Sequence, residues 1–137
     1  MSGLIRFGVS LEKRLLEDFD RLISRKNYSN RSEAIRDLIR DSFVKEEWET
    51  DKEVAGAISI VYDHHKRELI DMVVDMQHEY QDMIIASQHA HLDHHNCLEV
   101  IIVRGKADKI RNLSDKLRSV KGVKHGSLNV TTLGKEF

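Results

Sequence analysis

LIRFGVSL, residues 4–11, alternates apolar and polar side chains without a break. Ile5, Phe7, Val9 and Leu11 fall on one side of an extended segment, and Arg6, Gly8 and Ser10 on the other, which is the two-residue period of a β-strand. The period then changes. Leu15, Leu16, Phe19, Leu22 and Ile23 share one face of a helix over about residues 12–26. A turn follows at Asn27–Ser29, and Asn30 with Glu33 three positions later has the pattern of a capping box. It opens a second helix over about 31–47, with Ile35, Leu38, Ile39 and Phe43 on its apolar face. One strand and two helices in residues 1–48 cannot satisfy the strand's edges or bury all of this apolar surface. Pairing with the same strand of a second chain resolves both problems, so dimerisation is expected.

The run NRSEAIRDLIR at 30–40 resembles the second-helix signature of the ribbon-helix-helix family of DNA readers. The resemblance implies a two-stranded ribbon that enters the major groove with its outward side chains on base edges. Those side chains are Arg6 and Ser10, with Gly8 at a middle position where relatives usually carry a polar residue. It also implies a phosphate at the N-terminus of the second helix, assisted by Arg31, Ser32 and Arg36, with Glu33 partly opposing an anion.

After a polar stretch, EEWETDKE at 46–53, the pattern becomes strand (54–63), helix (66–83), strand (84–92), turn (93–96), strand (97–105), helix (107–120) and strand (123–133). Gly122 suits the C-terminal cap of the last helix. The order βαββαβ is the split ferredoxin-like arrangement, shared with ACT-type regulatory domains, and the second domain is expected to span 53–134. The fold class is therefore α+β. Architecture alone does not give function.

Composition narrows the choices. The 137 residues carry a formal net charge of −1, and residues 1–48 hold ten Lys/Arg against nine Asp/Glu. Bulk charge cannot hold such a chain on nucleic acid, so any DNA binding depends on a few placed cations. No apolar run is long enough to span a membrane, and no secretory signal pattern opens the chain, so no membrane partner is expected. With a single cysteine an internal disulfide is impossible, and a reducing cytoplasm is the expected setting.

That one cysteine stands in the segment from His78 to Cys97, which brings His78, His89, His91 and Cys97 to metal-ligand spacing. His89 and His91 leave the same face of a strand, and Cys97 opens the next strand after a short turn, so one hairpin supplies three donors. Imidazole and thiolate donors select late first-row transition ions over hard cations. His64, His65, His94 and His95 read as turn or linker residues. No general-base constellation accompanies the donors, so no enzyme and no small organic substrate are expected.

Over nearly its whole length the chain resembles the nickel-responsive transcriptional regulators, through NRSEAIRDLIR, VYDHHKREL at 61–69, QHEYQD at 77–82, HAHLDHHNCLEV at 89–100 and GVKHG at 122–126. The resemblance implies a cytoplasmic homotetramer, a dimer of dimers, that represses nickel uptake genes from a palindromic double-stranded DNA operator. It implies one square-planar nickel(II) per chain, held by His89, His91 and Cys97 of one subunit and His78 of its neighbour. By the same likeness Tyr62, Gln77 and Glu99 orient the ligands, Lys66 and Arg67 touch the DNA backbone, and Glu33 with Asp37 form a second cation site, for potassium or another metal. Copper(II) binds such donors more tightly than nickel, so selectivity has to come from geometry and availability. The competing readings are a regulator answering another metal or an amino acid through its ACT-type domain, and an antitoxin-like module with a partner-binding tail.

Overall fold

The computed structural model describes residues 3–135 and 137, and the chain divides into two units between Asp41 and Ser42. In the first unit, helix α1 spans Lys13–Arg25, and helix α2, Arg31–Glu49, begins. Asn30 Oδ1 accepts the Glu33 N–H at 2.9 Å, which is half of the expected capping box. Arg31 lies in a two-point contact with Asp20, at 2.9 and 2.8 Å. The buried apolar side chains of this unit are Ile23 and Ala34. Leu4, Ile5 and Phe7 are 99%, 88% and 69% exposed, and Val9, Leu11, Leu15, Leu22, Leu38 and Ile39 are exposed as well. Residues 3–12 form no strand within the single chain. A lone extended segment has no backbone partner to pair with.

The second unit, Ser42–Phe137, is built on a four-stranded antiparallel sheet in the order β2-β3-β1-β4. Its elements are β1 (Glu53–Asp63), α3 (Arg67–Glu79), β2 (Ile84–His91), β3 (Asn96–Lys106), α4 (Ala107–Ser119) and β4 (Val123–Thr131). This is the ferredoxin-like order expected from the βαββαβ pattern. Along β1 burial alternates, with Val54, Ile58, Ile60 and Tyr62 on the inner face. Register sets them opposite Gly105, Ile101, Glu99 and Cys97 of β3 in turn. Leu69 and Val73 of α3, and Ile110, Leu113 and Leu117 of α4, complete one buried cluster. Each such aliphatic side chain contributes about 1.5–3 kcal/mol. The other sheet face carries Val61, Leu98, Val100 and Ile102, which stay half-buried or exposed.

Two boundaries differ from expectation. The polar stretch at 46–53 is no linker throughout, because α2 continues to Glu49. Trp48 is buried in the sheet core and donates its Nε1–H to the Thr131 carbonyl at 2.8 Å. The helix expected over 66–83 ends at Glu79, where the Tyr80 N–H still reaches the Met76 carbonyl. Met83, buried, then folds back through its N–H to the Tyr80 carbonyl at 2.9 Å and feeds β2. Gly122, with φ of +102°, makes the left-handed turn between α4 and β4 that a side chain would strain.

Candidate metal centre

The β2–β3 hairpin sets His91 opposite Cys97 and His89 opposite Glu99, while β1 sets Tyr62 opposite Cys97 on the other flank. The thiol, two imidazoles, a phenol and a carboxylate therefore share one sheet face. The hairpin's turn is fixed by Asp93, whose Oδ1 accepts the backbone N–H groups of His95 and Asn96 at 2.9 and 2.8 Å. These bonds hold its carboxyl down at about 2.

Glu99 is buried and fully engaged. It accepts from the Tyr62 hydroxyl at 2.6 Å, from Gln77 Nε2 at 2.5 Å and from the Ser87 hydroxyl at 3.0 Å. Burial first, and then the bond to Glu99, push the Tyr62 phenol well above its ordinary range. The phenol keeps its proton and spends it on Glu99, so toward His89 it can only accept. His89 Nδ1 lies 3.4 Å from the Tyr62 oxygen and 3.9 Å from Glu99 Oε1. Both neighbours call for a proton on Nδ1, which leaves the Nε2 lone pair free to bind a metal.

Cys97 is fully buried, with its Sγ 3.6 Å from the Tyr62 carbonyl. Desolvation raises its thiol above the ordinary value, the Tyr62 side chain lowers it, and the Glu99 and Asp63 charges add to the rise. A thiolate here needs a cation beside it. The His89 and His91 rings lie 5.2 Å apart. His78, in the last turn of α3, is exposed and lines a shallow hollow with Val74, Gln77, Gln81 and Ile84. Its neighbour Gln77 belongs to the Glu99 network, so α3 is tied to the hairpin one residue away from His78.

The remaining expected residues belong to other segments of the chain. Arg6 and Ser10 sit in the exposed segment 3–12, and Ser32 and Arg36 are exposed on the first turns of α2. Arg31 is engaged by Asp20. Lys66 and Arg67 are exposed at the start of α3. Asp37 accepts the Tyr28 hydroxyl at 2.7 Å, and Glu33 is half-buried one turn before it. One grouping was not anticipated. Asp63, His65 and His95 hold donor atoms all within 4.8 Å of one another, at the end of the sheet that also carries His91.

Known proteins match this chain throughout. Residues 55–131 match the family described as NikR C terminal nickel binding domain, and residues 5–45 match the ribbon-helix-helix proteins of the copG family. A protein of Pyrococcus horikoshii is 56% identical over 98% of both chains, and one of Chlorobium limicola is 55% identical over 98% of this chain and all of its own. One of Syntrophus aciditrophicus is 53% identical over 98% of both. Each bears the name nickel-responsive regulator. A solved structure, an uncharacterized protein of Thermotoga maritima, covers 59% of this chain with a TM-score of 0.54 at 16% identity, which speaks to fold alone. With the ribbon-helix-helix match before a sheet domain whose hairpin sets Cys97 opposite His91 and Glu99 opposite His89, the chain belongs to the nickel-responsive regulator family of DNA-binding transcriptional regulators and is not an enzyme.

Proposed function

We propose that this chain is a cytoplasmic, nickel-dependent repressor of nickel uptake genes, acting as a homotetramer on a palindromic double-stranded DNA operator. The observation that carries the reading is the β2–β3 register, which sets the buried Cys97 opposite His91 and the buried Glu99 opposite His89. Sulfur and imidazole donors suit nickel(II) and exclude a hard cation. The ligand set is His89, His91 and Cys97, completed by the partner subunit's His78, at one nickel per chain. When bound, nickel supplies the positive charge that stabilises the Cys97 thiolate.

Gln77 and Glu99 then make the ligands a conformational device. Gln77 bonds Glu99 from α3, and His78 follows it on the same helix, so loading the site draws α3 against a neighbouring subunit. Lys66 and Arg67 at the start of that helix become ordered cations for the DNA backbone. Arg6 and Ser10 read base edges from a ribbon formed by two copies of residues 4–11, and Arg31, Ser32 and Arg36 face phosphate. The exposed apolar residues of segment 3–12 support dimerisation, and the uncovered sheet face of Val61, Leu98, Val100 and Ile102 supports association of the second unit. Glu33 and Asp37 hold a second cation such as potassium. An antitoxin-like tail fits less well, because residues 53–131 carry a complete sheet domain with its own core.

Titration of the purified chain with nickel(II), followed by absorption, tests the ligand set. Sulfur-to-metal charge-transfer bands should grow to one equivalent and vanish in Cys97→Ser. Bands that persist in that variant would remove Cys97 from the set.

A further inference from the structure

We propose that Asp20 is a positioning residue for Arg31, holding its guanidinium so that one edge stays free for a DNA phosphate. The proposal rests on the reading that the start of α2 faces phosphate. Arg31 is the first residue of α2, and Asp20 lies in the second half of α1. Arg31 Nε donates to Asp20 Oδ1 at 2.9 Å, and its Nη2 donates to Oδ2 at 2.8 Å. A guanidinium gripped through Nε and one terminal nitrogen uses only one of its edges. Nη1 has no partner among the described residues, so the edge between Nη1 and Nη2 stays open on a side chain that is 56% exposed. The pair is anchored from both helices. Asp20 lies one turn from Ile23, and Arg31 one turn from Ala34, the buried apolar side chains of this unit. The unit's other ion pair among the described residues, Arg21 with Asp18, stays within α1.

Residues 1–48 hold ten Lys/Arg against nine Asp/Glu, so DNA binding depends on where each cation is held rather than on charge in bulk. A free arginine gives up the rotamers of a long side chain when it meets phosphate. Arg31 has given them up before DNA arrives, because Asp20 already holds two of its N–H groups. Its open edge offers two parallel N–H donors, the geometry that fits two phosphate oxygens. Asp20 also opposes binding, since its negative charge repels the same phosphate. The bond from Arg31 holds the Asp20 carboxyl below its ordinary value, against the cost of desolvation, so that charge persists. The repulsion acts across the guanidinium through solvent and is screened by salt. The ordering of the side chain is not screened, so at physiological salt the positioning prevails.

Binding of a fluorescent random-sequence DNA duplex by the full chain, with nickel(II) present and anisotropy as the readout, tests the assignment, since phosphate contacts carry no sequence information. Asp20→Asn removes a negative charge, and bulk electrostatics predicts tighter binding from that alone. The proposal predicts the opposite, a loss of about 2–10-fold from the freedom returned to one long side chain. Asp20→Glu, which keeps the carboxylate, should restore most of it. Arg31→Lys keeps the charge and loses the fork. It should bind more weakly than the unaltered protein, and adding Asp20→Asn to it should bring no further loss. Tighter or unchanged binding by Asp20→Asn, beside a weakened Arg31→Lys, would overturn the proposal alone. So would an equal loss when Asp20→Asn is added to Arg31→Lys, because Asp20 would then act through the packing of the two helices. An Arg31→Lys variant as tight as the unaltered protein would overturn the phosphate reading of Arg31, and this proposal with it.

Discussion

Glu99 is the residue on which the candidate centre turns. Its carboxylate is buried and takes three side-chain bonds, including those that hold Tyr62 and Gln77 in place. In the proposed site a group so placed would act on nickel through the ligands it orients. Glu99→Gln keeps the volume but adds donor hydrogens where acceptors are needed, so chelator competition should show nickel affinity reduced about 10–100-fold. Cys97 sets the pH dependence. Its thiol is raised by burial, so it is protonated in the free protein at neutral pH and must release that proton on binding. Below the thiol's folded value, apparent nickel affinity should rise about tenfold per pH unit, and the rise should continue beyond the ordinary thiol value of about 8.5. Competition titrations across that range check it, and a flat profile would mean that sulfur is not a ligand. These donors were legible in the sequence because they lie within one helix and one hairpin. The Asp63, His65 and His95 grouping was not, since nothing local announces that the end of β1 bonds the hairpin turn some thirty positions away.

The elements followed their hydrophobic periods closely where each packs on its own unit. β1 alternates as its residues dictate, whereas α4 ends at Ser119 with Val120 as its cap, and Gly122, expected as that cap, makes the turn beyond it. The departures have physical causes. EEWETDKE reads as a polar boundary because six of its eight residues are charged, yet the indole of Trp48 outweighs them and draws the end of α2 into the sheet core. Trp48→Ala removes that packing and the bond to Thr131, and should cost about 3–5 kcal/mol in urea unfolding of the full chain. A loss below 1 kcal/mol would show that this end of α2 is dispensable. The helix carrying His78 stops a turn early because Met83 is worth more buried under β2 than exposed on a longer helix. Residues 4–11 keep the alternation of a strand without becoming one in a single chain, since strand pairing is a property of two segments.

As a single copy the chain leaves apolar side chains of both units in solvent. A first unit whose buried apolar side chains are Ile23 and Ala34, with Leu4, Ile5 and Phe7 in solvent, lacks the interior that stability requires. A second unit with Val61, Leu98, Val100 and Ile102 on an uncovered sheet face invites the same conclusion. Neither surface could be assigned from periodicity alone, because an apolar face looks the same whether its cover is the chain itself or another copy. Regulation through such an assembly is a coupling between nickel and DNA, typically about 1–3 kcal/mol. His78, next to Gln77 of the Glu99 network, is the residue proposed to carry that coupling. Operator binding by fluorescence anisotropy, with and without nickel(II), should tighten about 5–150-fold for the unaltered protein. The His78→Ala variant, folded and still binding DNA weakly, should show no such gain. Full nickel stimulation in that variant would contradict the account.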